Sequence, residues 1–120
     1  MGAHTAVAVE LLGDQAHVQA ILDDDPSAPI GEQERALFAF VRKVARQPNQ
    51  ITQDDVDAAT AAGWSDEALY DAITVCALFA FYNTWNDAAG VPGEPAVCAL
   101  SGRMLAQHGY VSSEDAQPPS

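Results

Sequence analysis

Three histidines, His4, His17 and His108, and two cysteines, Cys76 and Cys98, are the side chains here best suited to proton transfer, metal ligation or thiol chemistry. Their spacing matches no established pattern. The sequence contains no C-x-x-C, H-E-x-x-H, G-x-S-x-G or G-x-G-x-x-G. The histidines stand far apart, so neither a metal site nor a bound cofactor is expected. Glu10 cannot assist His4 within one helix, because a six-residue step turns it by about 600°, onto a different face. Asp54–Asp55 and the run Asp23, Asp24, Asp25 read most simply as capping and loop residues. On spacing alone each histidine is a surface or helix-end residue, and no complete active site is present.

The elements that would position these residues are helical. Gly13 ends a first apolar helix over Thr5 to Leu12, which has no capping residue ahead of it. Asp14 can cap a short second helix running to about Asp23. "DDDPSAP" then breaks the chain as a solvated loop between two parts of one domain. From Glu32 to Gln47, Leu37, Phe40, Val41 and Val44 share one helical face. Acidic Glu32 and Glu34 begin that helix and basic Arg42, Lys43 and Arg46 end it, as the helix dipole favours. Pro48 closes it. Thr52 and Asp55 form a capping-box pattern for a helix that stops at Gly63. Ser65 caps a long helix continuing to Ala89, and a last helix covers about Ala96 to His108. The tail "SSEDAQPPS" is expected to fray. No alternating strand pattern or internal repeat occurs, so the expected fold is all-α, with about five to six helices and a single domain over residues 1–111.

Composition narrows the function. At 120 residues with 48% apolar content, the chain can bury a core. Seventeen acidic residues against five basic ones give a net charge of −12. Such a surface repels phosphate backbones and anionic lipid, which disfavours nucleic acid and membranes as partners. The longest apolar run, Ala72 to Tyr82, is about half the roughly 20 residues that cross a bilayer. No basic stretch and cleavage site precede an apolar segment, so no secretory leader is expected and a reducing cytoplasm is the expected compartment. Cys76 and Cys98 both lie in apolar helical patterns and are expected as buried core thiols. The long helix is apolar on nearly every side over Ala72 to Trp85, which one small subunit cannot cover. A helical homo-oligomer, dimeric or trimer-based, is therefore expected.

The stretch "ERALFAFVRKVARQPNQITQDDVDAATAAGWSDEALYDAITVCALFAFYNTWNDAAGVP" carries a recurring order of motifs. It holds Glu34-Arg35-Ala36-Leu37, then Pro48 with Ile51-Thr52 and Asp55-Val56, then Ala62-Gly63-Trp64-Ser65-Asp66-Glu67. Phe79, Phe81-Tyr82-Asn83, Trp85, Asp87-Ala88 and Gly90-Val91 follow. In this order the chain resembles the carboxymuconolactone decarboxylase superfamily, and within it the peroxidase-related, alkylhydroperoxidase D-like branch. The resemblance implies an alkylhydroperoxidase D-like helical bundle. It also implies a redox centre of the form C-x-x-C-x-x-x-H, in which one thiolate attacks a hydroperoxide and the other resolves the sulfenic acid as a disulfide. A histidine and an upstream glutamate shuttle protons.

His4, followed by "TAVAVELLG", falls where that histidine stands, which would put the second cysteine immediately before Met1. The cysteine pair, the glutamate and the cap of the first helix would then belong to a preceding segment. By the same resemblance Phe79, Asn83 and Trp85 line the pocket. Members often carry Asn and Arg where this chain has Ala80 and Thr84, which implies a decayed or repurposed site. Three functions follow. The first is a thiol-peroxidase lineage with hydroperoxide and dithiol reductant as partners, inactive or truncated in this polypeptide. The second is a non-catalytic helical oligomer binding a small molecule or a homologous partner. The third, lactone decarboxylation, is weakest, since His4 alone is a credible proton carrier.

Overall fold

The computed structural model describes residues 3–110. Six helices account for most of them: α1 Ala3–Leu12, α2 Gln15–Leu22, α3 Glu32–Arg46, α4 Gln53–Ala61, α5 Asp66–Ala88 and α6 Pro95–His108, with a 3-10 turn at Pro48–Gln50 before α4. No strand occurs among the described residues, so the chain is all-α. The tail expected to fray and whatever precedes α1 lie outside the described residues. The chain divides into two compact units, one running to Pro29 and resuming at Pro92, the other Ile30–Val91.

In the Ile30–Val91 unit, α3 places Phe40 against Ala59 of α4 and Leu69 of α5, and these three form the buried cluster. Leu37, Val44, Ile51, Val56 and Trp64 close around it. The turn from α4 into α5 shows why "AGWSDE" has its composition. Gly63 adopts φ +106°, and a Cβ there would sit 3.1 Å from the Gln33 amide nitrogen. The Trp64 indole N–H donates to the Gln33 carbonyl at 2.8 Å, tying the turn to α3. The Ser65 hydroxyl oxygen accepts from the Ala68 N–H at 3.1 Å and caps α5.

The capping box at α4 forms as expected, with the Thr52 N–H donating to Asp55 Oδ2 at 2.8 Å. The same oxygen accepts from Lys43 Nζ at 2.6 Å, which joins α3 to α4. Lys43 first, and then the Thr52 backbone N–H, hold the Asp55 carboxyl below its ordinary value of 3.8. A lowered folded-state pKa means that the contribution is complete above the unfolded value and fades as pH falls through the folded one. The melting temperature of the chain is therefore expected to drop as acidification passes down through and below the ordinary carboxylate range. Asp55→Asn should lower it at neutral pH and flatten that acid-side slope, as followed by circular dichroism. An unchanged slope would remove Asp55 from the acid response.

In the other unit, α1 lies along α6 and against α2. Small residues, Ala6 on α1 and Gly102 on α6, are among those buried there, with Val18 of α2. Asp14 caps α2 as expected, its Oδ1 accepting the Ala16 N–H at 2.8 Å. "DDDPSAP" is not solvated throughout. Asp25 Oδ1 accepts both the backbone N–H and the hydroxyl of Ser27, at 2.8 Å each, and the turn folds Ala28 into a buried position.

Candidate functional site

α1 begins by Ala3 and carries His4 in its first turn. Its Nε2 lies 2.6 Å from the hydroxyl of Tyr110, two residues beyond the end of α6. The rings are tilted by 33° with centroids 6.4 Å apart, so the contact is polar, made through the ring edge rather than by stacking. Both residues are exposed. A histidine hydrogen-bonded to a phenol can pass a proton to or from a reacting group, with the phenol fixing the ring. Sequence reasoning missed Tyr110, because 106 residues separate the pair and no local period could relate them.

Phe79, Asn83 and Trp85 all stand on α5, in the other unit. They do not share one face. Phe79 and Asn83 are one turn apart, whereas Trp85 is turned roughly 160° from Asn83. Trp85 lines an open groove with Ala77, Ala80, Phe81, Thr84 and Ala88, while Phe79 and Asn83 lie outside it. Ala80 and Thr84 are both in the wall of this groove. Its lining is mainly apolar, and it offers no charged group for proton transfer or ion binding.

The cysteines differ from expectation. Both are free and half-buried rather than fully buried. The reason is that α5, which carries Cys76, buries only Leu69 completely and leaves its remaining sides open. Cys98 lies on α6, in the other unit. Burial still pushes the Cys76 thiol up, holding it protonated at neutral pH. In Cys98→Ala protein, alkylation of Cys76 is therefore expected to be several-fold slower in the native than in the denaturant-unfolded state. Equal rates would show an open, reactive thiol.

No group of three or more His, Cys, Asp or Glu side chains among the described residues could hold a metal ion. No helix there is long and apolar enough to cross a membrane. No protein-family model, curated protein or solved structure matches the chain. Fold and side chains together define a class, an all-α protein with an exposed His–Tyr pair on one unit and an apolar groove on the other.

Proposed function

We propose that the chain is a peroxidase-related protein of the carboxymuconolactone decarboxylase kind. Its lineage reduces hydroperoxides through a C-x-x-C thiol pair, and these 120 residues alone are catalytically silent. What supports the reading is the ordered run of motifs from Glu34 to Val91. Several of its residues have identifiable structural work, Gly63 and Trp64 in the turn and Thr52 with Asp55 in the cap. In this chemistry a thiolate attacks the peroxide oxygen and becomes a sulfenic acid as the alcohol leaves. The second thiol condenses with it to a disulfide and releases water, and an external dithiol restores the pair. His4 is the proton carrier of that sequence. Oxidoreductase and antioxidant roles follow from the same reading, with a reducing cytoplasm as the compartment.

A second reading, a non-catalytic homo-oligomer that binds a small molecule or a homologous partner, is favoured by the apolar groove of α5. Dithiol-dependent consumption of an alkyl hydroperoxide separates the two. The chain itself should show none. A form with Cys-x-x-Cys placed so that its second cysteine precedes His4 by four residues should turn over. Silence in both forms would leave the oligomer reading, and activity in the unaltered chain would overturn the assigned chemistry.

A further inference from the structure

We infer that the outward face of α5 is a self-association surface on which a second copy of this chain lies antiparallel, with Phe81 of each copy meeting at the two-fold axis. The inference deepens the homo-oligomer reading by naming the surface and the register. At 100° per residue, Leu69, Ala72 and Cys76 mark the inner side of α5. Tyr70, Thr74, Ala77, Phe81, Thr84 and Ala88 form a stripe on the other side, with Leu78 and Trp85 along one edge. Phe81 is 62% exposed, Trp85 60% and Tyr70 70%. At 150–250 Å² for a whole aromatic side chain, these three alone leave roughly 300–500 Å² open to water. That already reaches the ~300–600 Å² of the largest apolar patch on an ordinary monomer, and Leu78, 48% exposed, extends it with the small residues of the stripe toward the ~800 Å² each partner contributes to a stable interface.

Charge selects the occupant and its direction. The chain carries −12, yet residues 72–86 contain no charged side chain, so this is where two like-charged copies can meet without repulsion. α5 has no Lys or Arg, and its acids sit at the ends: Asp66, Glu67 and Asp71 before the neutral stretch, Asp87 after it. A parallel pair would set each carboxylate beside its own counterpart. An antiparallel pair centred on Phe81 sets none of them so. The same centre matches large residues to small ones. Trp85 of one copy falls opposite Ala77 of the other, Leu78 opposite Thr84, and Ala88 opposite Thr74. The Thr74 hydroxyl already donates to the Tyr70 carbonyl at 2.9 Å and so presents its methyl group. Interfaces of this kind are isologous, each contact occurring twice.

Sedimentation and covalent trapping test the arrangement on the full chain. Mass should be twice 12.7 kDa or a multiple of that dimer at micromolar concentration. Added salt should strengthen association by screening the −12 charges. Ala77→Trp should weaken association at least about tenfold by filling the slot that Trp85 enters, equivalent to roughly 1.4 kcal/mol. Ala77→Trp with Trp85→Ala should restore it, which no general loss of folding would do. In a Cys76→Ala, Cys98→Ala background, Phe81→Cys should cross-link on oxidation, while Thr74→Cys and Ala88→Cys should do so only when mixed. Self-linking of Thr74→Cys equal to that of Phe81→Cys would overturn the antiparallel register. An oligomer indifferent to Ala77→Trp would overturn this surface and leave the homo-oligomer reading standing. A 12.7 kDa monomer would end both, with the hydroperoxide assay still deciding the lineage.

Discussion

His4→Ala, made in the form that carries a Cys-x-x-Cys pair four residues ahead, is expected to lower dithiol-dependent hydroperoxide turnover about 10²-fold, the low end of what a positioned acid–base group contributes. The expectation starts from where His4 lies. It sits in the first turn of α1, so a thiol four residues earlier on a continued helix would be its neighbour on the same face. There the ring can take the thiol proton and return it to the departing alkoxide. Tyr110 contacts the ring at Nε2, 2.6 Å away, and Tyr110→Phe leaves the imidazole itself in place, so it should cause a smaller loss than His4→Ala. A stopped-flow assay of peroxide consumption reads both. If His4→Ala matched the parent, His4 would have no part in proton transfer and its place in the motif would be coincidence.

How much of this was legible in the sequence depends on the range of the interactions. Asp14, Thr52 with Asp55, Gly63 and Ser65 act within four residues of themselves, and each has the capping or turn role its type implied. The periodic face of α3 was legible for the same reason, with Phe40 buried and Leu37 and Val44 beside it. Contacts across the chain were not. Nothing local links His4 to Tyr110, Lys43 to Asp55, or the Trp64 indole to the Gln33 carbonyl. Burial was legible only in part. The apolar run around Cys76 implied a helix that one small subunit cannot cover, and the chain leaves Phe81, Tyr82 and Trp85 open, but composition cannot say what covers them. The sequence marks Ala80 and Thr84 only as departures from the pattern it resembles. Their common placement in the groove wall required the helix itself.

The second large effect concerns stability. Phe40→Ala is expected to destabilise the Ile30–Val91 unit by about 3–5 kcal/mol, a large share of what holds it folded. Phe40 is 4% exposed and meets Ala59 and Leu69, the only other fully buried members of that cluster. Removing a benzyl group from so small a core takes away most of its contacts. The cavity cannot collapse easily, because Ala59, itself 1% exposed, has no side chain to swing inward. A unit of about 60 residues has roughly 3–9 kcal/mol of total stability, so the loss takes from about a third of it to all of it. Val75→Ala supplies the contrast: it is 54% exposed on α5, and its removal should shift stability by less than about 0.5 kcal/mol unless association covers it. Urea unfolding followed by far-ultraviolet circular dichroism distinguishes them. Phe40→Ala should move the midpoint to far lower urea or leave no cooperative transition, whereas Val75→Ala should keep the parent midpoint. A Phe40→Ala protein that retained the parent helicity and midpoint would show that the Phe40–Ala59–Leu69 cluster does not hold this unit together.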